Sequence, residues 1–405
     1  MLQLLVPMFV FTGVVFVLAC AVLAARRQLI PAAEVAVTIN GQRTFTAATG
    51  DKLLWQLAEQ GVYLPAACGG RGACGQCRVE VVCGGGGVLA PEASHLSLAE
   101  VQRGVRLACM VTVREPMEIR VPADVLEARR WQAQVLGVRH LSTFLRELTL
   151  ELPEAMAFEA GDYVLIDAPP GEFPFAEFVI DEHYLAEWRR LGFLQLTARI
   201  PAATLRAYSL ANPPGQSAIA QLVVRIATPP AQSPPDTPPG MVSSYLYSLK
   251  PGDAVALSGP FGEFHACESG REMVVIGGGA GIAPLRSIIL DQLQAKRSKR
   301  QISFWYGARN LRELCYREEF AALARDYDNF RYEVALSQPE ADDVWSGPTG
   351  LIHKVAFDMY LNQHARPEEL EYYLCGPPLM TAAVHAMLED LGVDGQSIFM
   401  DDFGG

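Results

Sequence analysis

The stretch "CGGRGACGQC" (68–77) sets three cysteines and four glycines within ten residues. It has too few apolar side chains to pack a core, and its glycines leave the main chain too free to hold one shape unaided. Something must tie the thiols together. Three arrangements compete: a disulfide knot, a zinc site, or thiolates around an iron–sulfur cluster.

The nine cysteines of this 405-residue chain stand at 20, 68, 74, 77, 83, 109, 267, 315 and 375. An odd number at uneven spacing is unlike a secreted disulfide framework and points to reduced thiols. The length predicts two to four domains, because single cores seldom exceed roughly 250–300 residues. A net charge of −12 argues against nucleic acid as a partner, since neutralising phosphates takes clustered Lys and Arg.

"LLVPMFVFTGVVFVLACAVLAA" (4–25) carries no charge. Its 22 residues span ~33 Å as a helix, enough for a bilayer core of ~30 Å. Arg26 and Arg27 follow, and nothing basic precedes. A signal peptide wants a positive start and a shorter apolar run. A retained transmembrane helix is therefore expected, with the N-terminus outside and the rest of the chain in the cytoplasm. The segment offers no intramembrane charge for an ion path.

Around the loop, "EVAVTIN" and "RTFTAAT" read as a hairpin turning at Gly41, and "DKLLWQLAEQG" as a helix capped at Gly61. The strand "CRVEVV", a short helix "SLAEVQRG" and "VRLACMVTV" follow. The cysteine pattern is thus C-x5-C-x2-C, with a fourth cysteine 32 residues later. Structural zinc prefers two C-x2-C knuckles, and one exists here. The pattern "CGGRGACGQC…LAC" resembles a 2Fe–2S ferredoxin domain of β-grasp (α+β) fold, with a first spacing one residue longer than the plant type. The resemblance implies Cys68, Cys74, Cys77 and Cys109 as ligands, with Cys83 a bystander.

"VLEARRWQAQV" reads as a linker. "RELTLEL", "GDYVLIDAP", "LQLTARI", "QLVVRIAT" and "GDAVALSGP" are then short alternating strands, the mark of an antiparallel β-barrel. "RAYSLAN" places Arg206, Tyr208 and Ser209 at R-x-Y-S spacing, read as alternate side chains on one strand face. "GMVSSYLYSL" opens a helix with Gly240 and Ser243, suited to receive phosphate. That order resembles the ferredoxin–NADP reductase superfamily, which implies that Arg206, Tyr208, Ser209, Gly240 and Ser243 bind a flavin.

"EMVVIGGGAGIAPLRSII" is a buried strand, a glycine turn and a helix start. Gly277, Gly279 and Gly281 do not complete G-x-G-x-x-G, because Ile282 stands at the last place. The exposed N–H groups and Pro284 in the first turn still suit a dinucleotide. The same superfamily uses such a turn and a later "YYLCGPPLM"; the resemblance implies an α/β nicotinamide domain with a parallel sheet, Cys375 and Gly376 lying beside the nicotinamide. Arg309 and Arg312 are candidates for a 2′-phosphate, but Glu313, Glu318 and Glu319 crowd them, which favours NADH over NADPH.

The apolar start, an insertion of about 35 residues holding "EFVIDEHYLAEW" (too long for a hairpin turn), and the ending "FMDDFGG" together resemble the NADH-oxidising F subunits of sodium-translocating NADH:quinone oxidoreductases. That resemblance implies FAD, with Phe403 near it, and Ser209, Cys375 and Phe403 at the reaction centre. It implies hydride passing from NADH to FAD, single electrons to 2Fe–2S and on toward quinone through other membrane subunits, and sodium export carried elsewhere in an inner-membrane complex. The expected division is 1–27 anchor, 33–127 ferredoxin, 128–267 flavin barrel and 268–405 nicotinamide domain. A membrane-tethered oxygenase reductase and a zinc-binding scaffold are the rival readings. The visible spectrum separates the last from the others: the purified chain is expected to be red-brown, and a colourless protein sinks the iron–flavin reading.

Overall fold

A computed structural model describes residues 13–14, 16–18 and 34–401, except 67, 123–124, 127, 231–232, 235–236 and 342. Of the expected membrane span only those first five residues are described, and they are helical. Among the described residues no helix is long and apolar enough to cross a membrane. The chain forms two compact units, one of Met1–Leu64 with Gly75–Leu126 and one of Pro65–Cys74 with Glu127–Gly405.

In the first unit β1 (Glu34–Ile39) and β2 (Arg43–Ala48) pair antiparallel, Val37 opposite Phe45. Asn40 and Gly41 both take positive φ, 52° and 66°, in the three-residue loop 40–42 between Ile39 and its partner Arg43, where Gln42 N donates to Ile39 O at 3.0 Å. Helix α1 (Leu53–Glu59) buries Leu53, Leu54 and Leu57, and Gly61 (φ 76°) follows its last turn. β3 (Arg78–Cys83), β4 (Val105–Leu107) and β5 (Met117–Arg120) complete a sheet of order β2-β1-β5-β3-β4, with β1 and β5 parallel. Between β3 and β4 lie α2 (Ala90–Ala93) and α3 (Leu98–Gln102). Ser97 and Glu100 close α3 with a reciprocal capping box.

One buried ion pair organises this unit. Arg106 donates through Nε and Nη2 to Glu92 at 2.9 and 2.7 Å, and through Nη1 and Nη2 to the carbonyls of Gly85, Gly86 and Gly87. Glu92 also accepts from the backbone N–H of Leu89 and Leu107. Burial pushes the Glu92 carboxyl up, but Arg106 and these two N–H groups outweigh it and hold it below its ordinary 4.5.

In the second unit β6 (Arg129–His140), β7 (Leu145–Glu151), β8 (Tyr163–Ala168), β11 (Thr204–Ser209), β12 (Ile219–Arg225) and β13 (Ala254–Phe261) form an antiparallel sheet of order β11-β8-β13-β6-β7-β12. A single bridge, Leu210 to Leu222, joins its two ends. Two expectations need correction. The supposed linker becomes β6, whose Trp131, Ala133 and Val135 alternate into the core. "LQLTARI" is not a barrel strand: β10 (Thr197–Ile200) pairs with β9 (Gly171–Pro174) in a separate ribbon. That ribbon and α4 (Glu182–Arg190) form the insertion, pinned to the barrel by Trp188, fully buried, whose Nε1 donates to Thr143 O at 2.8 Å. Helix α5 (Met241–Ser248) closes the barrel core with Leu246 and Tyr247.

β14 (Met273–Gly278), β15 (Ile302–Ala308), β16 (Phe330–Leu336), β17 (Glu371–Cys375) and β18 (Ile398–Asp401) form an all-parallel sheet of order β16-β15-β14-β17-β18. Around it lie α6 (Ile282–Leu290), α7 (Arg317–Asp326), α8 (Ile352–Met359) and α9 (Pro378–Asp390). Strand order reverses between β14 and β17, and such a crevice at the strands' carboxyl ends is where ligands bind in open α/β sheets.

Arg106→Ala leaves Glu92 buried without its cation and three carbonyls without a donor. The expected loss is about 3–5 kcal/mol, read from denaturant unfolding. Because the folded Glu92 pKa is depressed, the pair's contribution is complete above the unfolded value and lost as pH falls through the folded one. The gap between parent and variant should therefore narrow in acid.

Candidate active site

The cysteine loop is built on left-handed glycines: Gly69, Gly70, Gly72 and Gly75 take φ between 67° and 81°. No disulfide joins the described cysteines; Cys68, Cys77 and Cys109 are buried and Cys74 is half-buried. Cys74 Sγ lies 3.4 Å from Cys68 Sγ. That thiol contact pulls the Cys68 pKa down to about 4; burial opposes it, and the N–H groups of Ala73, Cys74 and Arg71 assist. Thiolate is the form that ligates iron. Cys77 heads β3, and its carbonyl accepts from Ala108 N at 2.8 Å, which brings the Cys109 turn alongside. Among the described residues no three His, Cys, Asp or Glu side chains gather about one ion. A two-iron cluster divides its four thiolates between two metals, so pairs of thiols suit it. The exposed Cys83 lies at the end of β3.

On β11 the strand alternation puts Arg206 and Tyr208 on one face and Ser209 on the other. The expected single-face triplet is therefore split. Burial pushes the Tyr208 phenol well up and, with Arg71 nearby, draws the half-buried Arg206 down. Gly240 caps α5 against Ala227, where a Cβ would fall 2.6 Å from the Ala227 Cβ. The Ser243 hydroxyl is engaged with that helix start, accepting from Ala227 N and donating to Gly240 O, both at 3.2 Å.

At the reversal of the parallel sheet the two turns interlock. Gly277 is in register with Cys375. A Cβ on Gly281 would lie 2.2 Å from Cys375 O, and one on Gly376 3.0 Å from Gly278 O. Gly279 takes φ 57°, and Pro284 sits in the first turn of α6. Cys375 is fully buried. Its register partner on β18 is Asp401, whose Oδ2 accepts from Ser209 Oγ at 3.2 Å. Asp401 thus brings the ends of β11 and β17 together, and the sequence pattern did not point to it. Its only signal was the acidic pair in "FMDDFGG". Phe403 lies outside the described residues.

Arg309 and Arg312 both face carboxylates, Glu313 at 3.7 Å and Glu340 at 3.4 Å. Glu340 also accepts from Asn310 Nδ2 at 2.8 Å. Both guanidiniums are thus ion-paired. Of the three glutamates expected to crowd this segment, only Glu313 takes one of these arginines, while Glu319 pairs with Arg286.

Family models match three segments: a 2Fe-2S iron-sulfur cluster binding domain over residues 37–114, an oxidoreductase FAD-binding domain over 191–266 and an oxidoreductase NAD-binding domain over 275–386. Among solved structures, the Amycolatopsis cytochrome P450 reductase GcoB is 27% identical with TM-score 0.65, covering 91% of this chain and 98% of its own. The ferredoxin reductase in carbazole 1,9a-dioxygenase is 26% identical with TM-score 0.61, covering 92% and 98%. Fold and modules together define an iron–sulfur flavoprotein reductase. Two curated relatives match over the full length of both chains: the F subunit of the Na(+)-translocating NADH-quinone reductase of Klebsiella pneumoniae subsp. pneumoniae at 47% identity, and that of Neisseria meningitidis serogroup C at 46%. The chain belongs to this family, the F subunits of Na(+)-translocating NADH-quinone reductases.

Gly281→Ala drives a methyl into the Cys375 carbonyl and must part the two turns. The expected result is a rise in KM for NADH of at least about tenfold, with FAD content unchanged, measured by steady-state kinetics and flavin absorbance.

Proposed function

We propose that this chain is the electron-input component of a membrane respiratory complex, oxidising NADH and passing electrons through FAD and a 2Fe–2S cluster toward quinone. Full-length identity of 45–47% to F subunits of the sodium-translocating reductase supports this over the oxygenase-reductase reading, which shares only module order and fold at 26–27%. Sodium export is the work of other subunits. The apolar segment 4–25 anchors the chain in the bacterial inner membrane, its catalytic domains in the cytoplasm. The divisions 1–27, 33–127, 128–267 and 268–405 mark anchor, ferredoxin, flavin and nicotinamide parts.

One observation carries the chemistry: Ser209 of the barrel meets Asp401, which is in register with Cys375 at the sheet reversal. Bound FAD supplies the conversion NADH and iron require, accepting a hydride and returning electrons singly. The chain's residues do the placing. Gly279, whose missing Cβ faces open space, leaves room for the pyrophosphate, Gly277 and Gly281 let the turn close onto Leu285 and Cys375 beneath it, and Pro284 presets the helix behind. Cys375 and Gly376 would line the nicotinamide side, with Ser209, held by Asp401, on the barrel side, and Phe403 is assigned to the flavin by the family resemblance alone. Arg206 meets the flavin's phosphates and Tyr208 its ring, while Gly240 and Ser243 shape the start of α5 for the same cofactor. Cys68, Cys74, Cys77 and Cys109 hold the cluster, and the lowered Cys68 pKa suits a metal-bound thiolate. The paired Arg309 and Arg312 favour NADH over NADPH.

The test uses the full chain carrying FAD and iron. NADH is expected to bleach the flavin and then raise a paramagnetic iron signal. In Cys109→Ser the bleaching should persist while the iron signal disappears. An unsubstituted chain that bleaches without any iron signal excludes the proposal.

A further inference from the structure

The glycine turn and the flavin-facing strand are joined by a short mechanical path. Gly281 caps the start of helix α6, and five residues on, Arg286 reaches into the barrel. Its Nη1 donates to Ala211 O at 2.7 Å and Gln221 Oε1 at 3.2 Å. The next residue, Ser287, donates from Oγ to Asn212 O at 2.7 Å. Ala211 and Asn212 follow Ser209 almost directly along the chain.

Arg286 is itself held from behind. Nε and Nη2 donate to the two carboxylate oxygens of Glu319 at 2.6 and 2.7 Å. The guanidinium lies 4.7 Å over the Tyr316 ring, which Arg139 of β6 also approaches at 5.6 Å. Tyr316 OH donates to Glu147 Oε2 of β7 at 2.5 Å, and Glu147 takes Arg139 at 2.9 Å. Tyr316 precedes α7 with φ 52° and ψ 28°. A bulky residue in that left-handed region costs on the order of 1–3 kcal/mol and persists only where its surroundings impose it. Burial first, and Glu147 next, push its phenol well up, so it remains a proton donor.

We propose that Arg286 and Tyr316 are positioning residues, clamping the helix that carries the glycine turn onto the segment after Ser209 and so setting how closely nicotinamide approaches flavin. This rests on the flavin–nicotinamide reading above. In hydride transfer the C4–H bond of the dihydronicotinamide breaks, its proton and two electrons pass together to flavin N5, and NAD+ remains. The clamp makes and breaks no bond in that step. It acts through distance: reacting atoms must stand about 3–3.5 Å apart, and a misplacement of about 1 Å can cost a hundredfold.

The experiment mixes full-length, FAD-loaded chain anaerobically with NADH or 4-deuterated NADH and follows flavin absorbance in a stopped flow. Arg286→Gln is expected to lower the limiting bleaching rate at least about tenfold and to raise the isotope effect. The NADH concentration for half-maximal rate should stay within about twofold of the parent's. Arg286→Lys should recover part of the rate, since it keeps a cation but loses the fork that serves Glu319 and Ala211 together. Tyr316→Phe keeps the ring between its cations, loses the Glu147 bond and should fall between; it decides the matter if the Arg286 variants do not fold. Variants that melt earlier yet retain the parental rate and isotope effect overturn the inference. A parent chain that NADH does not bleach overturns the functional reading, and this one falls with it.

Discussion

Close approach of main chain to main chain is the constraint on which this molecule rests. At the reversal of the parallel sheet, the turns after β14 and β17 come so near that a Cβ on Gly281 would sit 2.2 Å from the Cys375 carbonyl. The consequence is chemical as well as steric. The turn before α6 carries no side chains at Gly277, Gly279 and Gly281, the kind of helix start that suits an anionic dinucleotide, and Cys375 is buried against the same turn. The cysteine loop uses the same device, with four glycines in left-handed conformation bending the chain around its thiols.

Elsewhere in the molecule, turns are held by buried arginines. Arg106 serves a carboxylate and three glycine carbonyls at once. Arg300 does the same between Cys267 O, Arg271 O and the fully buried Glu371. Burial pushes Glu371 up, but Arg300, Ser269 and Tyr373 more than offset it and hold the carboxyl low. A guanidinium suits this work because its five donors point in a fixed fork. Such pairs contribute little net stability against an apolar replacement, but losing one partner is costly. Their effect is to set where these loops lie.

Much of the architecture was legible from spacing alone. The hairpin at Gly41, the face of α1 and the glycine turn all follow from local rules of period and punctuation. The errors have physical causes. In "VLEARRWQAQV" charged flanks mask the alternation of Trp131, Ala133 and Val135 that makes it a strand and not a linker. "LQLTARI" alternates as a barrel strand does, yet pairs with β9 instead, and strand partners are not a local property. Ser209 does not share the face of Arg206 and Tyr208, because adjacent strand residues point to opposite faces.

Thiol chemistry, glycine freedom and apolar length belong to residues taken singly or in short runs. The order of modules could therefore be read from short motifs, and the kinds of cofactor from the family those motifs resemble. The meeting of Ser209 with Asp401, 192 residues apart, and the clasp of Arg286 on Ala211 could not. Those contacts exist only because the parallel sheet puts β18 beside β17 and the barrel presents the end of β11 to it. Pairing of that range is set by packing of the whole domain, and no local pattern encodes it.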